Sequence, residues 1–426
     1  MSTAISREAE REELRPPRSL EVARPRSDSA DAHIPALDGV RGLAILLVLF
    51  LHLAPFGHGL PAPTAFVDKV LLHAARTGWI GVNLFFVLSG FLITGILYDT
   101  KGSAHYFRQF YARRVLRIFP LYYGALAIFL IILPALFPEH SVLRDLKADG
   151  AWYWSYLYNW KVATTGYLAS SALGHFWSLA VEEQFYLFWP LVVFWLNTRH
   201  LLVACVVAMV TALVCRMALW MTGYVPLVNV WTPSAMDALA IGAFIAVMVR
   251  QPGGRSVLRR WAPPLAVLTA LPLAALFVGE AVSLIPHRLL QTAGQTLIAV
   301  FFGAILVLAL TSSRSSAIGK AAANPVLRFF GKYSYAMYVF HYPLLWFNPN
   351  SWLKLNFRGI PTVFGSQMPA YLLWLAMTIG LTVALALVSW QVWEKQFLKL
   401  KRFFPYDTGE ATNTPALVPP RQLVSA

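Results

Sequence analysis

The chain has 426 residues, 58% of them hydrophobic and only 13% charged, with a mean hydropathy of +0.57 and a formal net charge of +15. A soluble domain carries roughly a quarter charged residues, so this composition excludes a soluble globular protein and makes length a poor guide to domain number. The basic excess fits loops beside anionic lipid, and no nucleic-acid partner is expected.

In chain order, residues 1–33 come first, rich in Arg, Glu, Pro and Ser and without an apolar core. They are expected to be a disordered cytoplasmic tail, not a cleaved signal peptide. Ten apolar spans follow, at about 38–56, 79–98, 118–138, 176–196, 201–221, 233–249, 262–279, 291–311, 333–348 and 370–393. Their lengths predict an all-α integral membrane bundle and not a barrel. The membrane domain is placed at 34–398 and a second disordered cytoplasmic tail at 407–426. With both termini in the cytoplasm, inner segments hold 26 of the 35 Lys and Arg residues and outer segments hold 8, while Arg216 falls inside a span. That bias sets the orientation. The longest outer connection, about 139–175, carries the aromatic run Trp152 to Trp160. Such density suits a helix lying at the headgroup level, or a platform that stacks a sugar.

Ionisable groups inside apolar spans are costly and so draw attention to function. Arg41 and His52 lie eleven positions apart on the first span, a rise of ~16 Å. His52 falls at the outer end and Arg41 near the inner end. Glu182 and Glu183 sit ~10 Å inside the outer end of the fourth span, roughly the depth of His52. As adjacent residues they point ~100° apart, so only one can face a site. A carboxylate on the Nδ1 side of an imidazole would make His52 a general base, with Glu182 the partner. Equally, His52 could cap its helix and the carboxylates could lock neighbouring helices.

Arg113, Arg114 and Arg117 form a basic cluster, with Arg114 and Arg117 three apart on one helical face. Arginine clusters grip phosphates, and they also serve as positive-inside anchors. In the ninth span His341 lies ~12 Å from the cytoplasmic end, near Tyr338 and Tyr342. In the second span Gly81, Ser89 and Gly90 allow close helix approach, and Asn83 is a polar group near the outer boundary. Asp237 has Arg216 as a candidate structural counter-charge. Cys205 and Cys215 would be ~15 Å apart on one helix, too far for a disulfide, and read as packing residues. The sequence holds no Walker loop, dinucleotide fingerprint, nucleophile elbow or zinc-spaced His/Cys set, so no metal is expected.

Together these blocks resemble acyltransferase family 3, the multi-span bacterial membrane enzymes that O-acylate surface glycans and some small molecules. The resemblance rests on Arg41 with His52; on Arg114-Val115-Leu116-Arg117; on Phe176-Trp177-Ser178-Leu179 with Glu182, Phe185 and Tyr186; and on Ser334-Tyr335 with His341, Tyr342 and Pro343. It spans about 34–395. Many relatives carry an acidic residue where this chain has Asn83. The hydrolase-like extracytoplasmic domain that some members append is not expected here.

The resemblance implies no permanently bound cofactor, and acyl-CoA, above all acetyl-CoA, as co-substrate. Arg41, Arg114 and Arg117, with Arg113, would meet its phosphates from the cytoplasm. His52 would deprotonate an acceptor hydroxyl on a carbohydrate or glycoconjugate, and Glu182 would steady the imidazolium. Asn83, Ser89, Trp177, Ser178, Tyr186, His341 and Tyr342 would line the site. The implied location is a bacterial cytoplasmic membrane, with lipid as the surrounding partner. A transporter of a lipid-linked sugar or acyl group, or a non-catalytic scaffold for polysaccharide assembly, stays open as an alternative.

Overall fold

The computed structural model describes residues 34–54, 63, 65–165, 172–223, 229–281, 287–313, 315–346 and 359–406. Both expected tails, 1–33 and 407–426, lie outside the described residues. The long apolar runs become helices because a helix satisfies every backbone N–H and C=O within the segment, which lipid cannot do. In chain order they are α1 (Pro35–Leu53), α2 (Phe66–Arg76), α3 (Ile80–Asp99), α4 (Tyr106–Ala127), α5 (Ser141–Ala148), α6 (Gly150–Trp154), α7 (Tyr158–Thr165) and α8 (Phe176–Trp195). Then come α9 (Thr198–Met221), α10 (Thr232–Met248), α11 (Gly254–Ala281), α12 (Ala293–Thr311), α13 (Ala317–Ala323), α14 (Pro325–Lys332), α15 (Ser334–Trp346) and α16 (Met368–Ser389). A helical turn at His287–Gln291 precedes α12. Among the described residues there is no strand, only a bridge between Val363 and Ser366.

A helix lies at each of the ten predicted spans. Seven helical segments among the described residues are long and apolar enough to cross a membrane: 35–53, 66–99, 106–136, 198–221, 254–281, 293–311 and 368–403. The protein is therefore a multi-pass membrane protein. The other three helices at predicted spans are α8, of 20 residues with two carboxylates; α10, of 17; and α15, of 13. Between 139 and 175 the described residues form three short helices, not one. The tyrosines of this segment turn inward, with Tyr156 stacked 4.0 Å from Tyr122 and Tyr153 4.1 Å from Tyr158, while Trp152, Trp154 and Trp160 stay exposed.

α1 is the centre of the packing. It starts with Pro35 at its first turn, where the missing N–H costs nothing. It packs on α3, α13, α14 and α15. A Cβ at Gly42 would collide with the Leu327 carbonyl of α14, and one at Gly331 would collide with the Asp38 carbonyl. Backbone therefore meets backbone at this crossing, as small residues permit inside membranes. Gly90 and Gly242 do the same for α3 and α10. Arg250 clamps the end of that pair with two 2.6 Å hydrogen bonds to the Asp99 carboxylate. Arg216 and Asp237 pair at 2.6 Å with both side chains buried, and Thr296 donates to the same carboxylate oxygen at 2.9 Å. A buried charge pair needs such extra hydrogen bonds to offset desolvation.

Among the described residues two π turns interrupt the helices, at Ile128–Ile132 after α4 and at Trp390–Glu394 after α16. The second aims the Trp393 indole at the Pro120 carbonyl of α4, 2.9 Å away, tying the last long helix to the basic one.

Candidate functional site

Residues of α1, α3, α4, α8 and α15 line a cavity of about 110 Å³. Arg41 from α1 and Arg114 and Arg117 from α4 supply three guanidiniums, and Glu182 and Glu183 from α8 supply two carboxylates. The α4 spacing explains the pair: three residues apart they share a face, whereas Arg113 points elsewhere. Arg113 donates to the Phe404 carbonyl at 3.0 Å and lies 4.3 Å from the Tyr406 ring centroid, away from this cavity. Arg114 sits over the rings of Phe110 and Tyr186. Arg41 reaches back to Asp38 at 3.4 Å, a long contact that leaves most of its donors for something else.

Glu182 belongs to this cavity. Its Oε1 accepts from Ser89 Oγ at 2.5 Å, and Ser89 in turn accepts from the Tyr186 hydroxyl at 3.0 Å. The orienting partner that the sequence reading gave to His52 is not Glu182 but His341. His52 Nδ1 lies 3.1 Å from His341 Nε2, with ring centroids 5.0 Å apart. Tyr342 adds an edge contact to the His52 ring at 4.8 Å.

The hydrogens in this pair follow from the partners. His341 Nδ1 lies 2.7 Å from the Tyr338 carbonyl and 3.1 Å from that of Met337. A carbonyl only accepts, so His341 Nδ1 carries the hydrogen and Nε2 carries the lone pair. His52 Nδ1 must then donate to that lone pair, which leaves His52 Nε2 as a free basic nitrogen. A neutral imidazole thus fixes the tautomer and orientation of His52, without the charge that a carboxylate would bring.

His52 does not line the cavity. Ser178 and Tyr338, which do, are hydrogen-bonded to each other, one hydroxyl donating to the other, and the remaining hydrogen goes to the His175 carbonyl, which lies 3.1 Å from both oxygens. Beyond them lies the imidazole cluster. Five expected site residues divide accordingly: Ser89, Ser178 and Tyr186 line the cavity, whereas His341 and Tyr342 surround His52. Two others join neither group. Asn83 donates to Gln295 on α12 at 3.0 Å, and Trp177 packs on Phe86.

Sequence reasoning passed over His175. It is 2% exposed, 4.9 Å ring to ring from His341 and 5.4 Å from Tyr342. Its only signal in the chain is its place three residues before Ser178, and nothing local reveals that it faces α15.

A family model described as an acyltransferase domain matches residues 34–390. The chain is 29% identical over 335 residues to the peptidoglycan O-acetyltransferase OatA of Listeria monocytogenes, covering 74% of this chain and 49% of that protein. It is 30% identical over 334 residues to the putative peptidoglycan O-acetyltransferase YrhL of Bacillus subtilis, with the same coverage of 74% and 49%. It is 25% identical over 406 residues to the O-acetyltransferase OatA of Staphylococcus aureus, covering 90% of this chain and 60% of that protein. The chain thus spans about half to three fifths of the length of these curated relatives. No solved structure matches.

Proposed function

Because the chain belongs to acyltransferase family 3, we propose that it is a membrane O-acetyltransferase that moves an acetyl group from acetyl-CoA to a hydroxyl of a surface glycan. The observation that carries this reading is α1. One helix places Arg41 on the guanidinium cavity and His52, its Nε2 unengaged, against His341. The ~16 Å between them suits a donor whose phosphates and thioester are far apart. Peptidoglycan is the first acceptor to test, from the names of the relatives.

In the proposed reaction Arg41, Arg114 and Arg117 hold the donor phosphates by charge-assisted, bidentate contacts. Glu182, fixed by Ser89, holds the Tyr186 side of the cavity and balances part of the basic charge. His52 Nε2 takes the proton from the acceptor hydroxyl as its oxygen attacks the thioester carbonyl. The C–S bond breaks, and the same proton passes to the leaving thiolate. General-base help of this kind is worth roughly 10²–10⁴ in rate, and the rest comes from positioning. In this reading the ten helices at the predicted spans all cross a bacterial cytoplasmic membrane, with both termini inside and the guanidiniums nearer the cytoplasm.

The test is release of CoA thiol by the purified protein in lipid nanodiscs, with acetyl-CoA and an N-acetylglucosamine oligomer or muropeptide. Thiol release that depends on the acceptor and disappears in His52→Ala supports the proposal. Wild-type protein that releases no thiol with any glycan, or a His52→Ala protein as active as wild type, overturns it.

A further inference from the structure

The imidazole cluster contains one group that the reaction above leaves without a task. His175 stands just before the first residue of α8 and is 2% exposed, yet neither of its ring nitrogens makes a hydrogen bond. Its ring faces the Val339 and Tyr338 carbonyls without reaching hydrogen-bond geometry with either. The Tyr338 carbonyl is already taken by His341. A buried polar group without a partner costs roughly 1–3 kcal/mol, so such a group in a native protein calls for an explanation.

Its surroundings supply one. The ring lies against His341 at 4.9 Å, Tyr338 at 5.3 Å and Tyr342 at 5.4 Å, and His341 and Tyr342 are the two residues that flank His52. Acyl transfer from a thioester puts negative charge on the carbonyl oxygen, and that oxygen needs a donor aimed at it. The other polar groups of the cluster are engaged. His341 Nδ1–H serves the Tyr338 carbonyl, His52 Nδ1–H serves His341, and the hydroxyls of Ser178 and Tyr338 serve each other and the His175 carbonyl.

We propose that His175 is a catalytic residue: as a neutral imidazole, its ring N–H donates to the carbonyl oxygen of the transferring acyl group while His52 activates the acceptor. This rests on the acyl-CoA reading above. The proton inventory is unchanged: His175 keeps its hydrogen throughout, and the hydroxyl proton still travels by His52 to the thiolate. A neutral imidazole as electrophile has precedent in principle, since it polarises a carbonyl without first having to lose or gain charge.

The test uses full-length protein in nanodiscs and acetyl-CoA labelled with carbon-13 at the acetyl carbonyl. In a His52→Ala background, which prevents turnover, isotope-edited infrared spectroscopy reads the bound carbonyl stretch. The expected result is a band below that of free acetyl-CoA, which returns to the free position in His52→Ala/His175→Phe. With His52 intact, His175→Phe should lower kcat about 10²–10³-fold, the usual effect of removing one oxyanion donor. His175→Gln, which keeps an N–H, should recover part of both signals, and it replaces His175→Phe should that variant fail to fold. A bound carbonyl band at the same position with and without His175 overturns the proposal alone. Absence of any bound acetyl-CoA band overturns the donor reading, and this proposal with it.

Discussion

Replacing His341 by Phe removes the Nε2 lone pair that accepts from His52 Nδ1 at 3.1 Å, together with the Nδ1–H on the Tyr338 carbonyl. The ring volume and the edge contacts to His175 and Tyr342 largely persist. A neutral hydrogen bond of this kind contributes about 0.5–1.5 kcal/mol. Each 1.36 kcal/mol is tenfold in rate, so the bond itself accounts for up to about tenfold. Losing the fixed tautomer adds to this, because some His52 rings will then present Nε2–H and cannot act as base. The expected total is a loss of about 10- to 100-fold in kcat, with the KM for acetyl-CoA nearly unchanged, since His341 is not on the guanidinium cavity. The informative measurement is the double variant. If His341 acts only through His52, His52→Ala/His341→Phe should be no slower than His52→Ala alone, the non-additivity expected of groups that work as a unit. Thiol release within twofold of wild type in His341→Phe would refute the tautomer argument. So would losses that multiply in the double variant.

Arg114→Gln and Arg117→Gln should each raise the KM for acetyl-CoA about tenfold with little change in kcat, since a hydrogen bond to a charged group contributes about 1.5–3 kcal/mol; the KM measured over a salt series checks this, and a kcat-only effect contradicts it. Arg216→Met leaves Asp237 buried without its cation and should destabilise the fold by about 3–5 kcal/mol, read as a lowered Tm in detergent, while Arg216→Met/Asp237→Leu recovers much of the loss. Gly42→Val pushes α14 away from α1 and should cost stability and thiol release together, checked by melting and by activity of whatever folds. In a chain with Cys205 and Cys215 replaced by Ala, Lys101→Cys should react with a membrane-impermeant thiol reagent only from the cytoplasm and Ser141→Cys only from outside; the reverse pattern overturns the proposed orientation.

Hydropathy made the helices legible because the cost of an unpaired backbone in lipid is large and local to each segment. It placed their ends less well. α4 begins at Tyr106, not near 118, because its first three turns mix Arg108, Arg113 and Arg114 with aromatic residues and so do not read as apolar. The short α15 gains its place by packing on α1 and α16, a property that no window of sequence measures. The turn angle of a helix was enough to set Arg114 and Arg117 on one face. It could not set the height of α8 against α1, and so equal depth suggested Glu182 for His52 while the ring of α15 took that place. His341 and His52 are 289 positions apart, and His175 reaches the same cluster from the turn before α8. The partner of Asn83 was hidden for the same reason: Gln295 is one amide in an apolar run until α3 and α12 are brought side by side.

The uninterrupted stretch of α1 from Arg41 to His52 works as a ruler. Its tick marks are helical residues of ~1.5 Å, so its length does not flex when substrates come and go. Under the proposed reaction, a donor gripped by its phosphates can deliver its thioester to only one level. Four extra residues spliced between those two positions would lift the basic nitrogen by ~6 Å and turn it about 40°. A protein lengthened in this way would still bind acetyl-CoA and yet be unable to spend it.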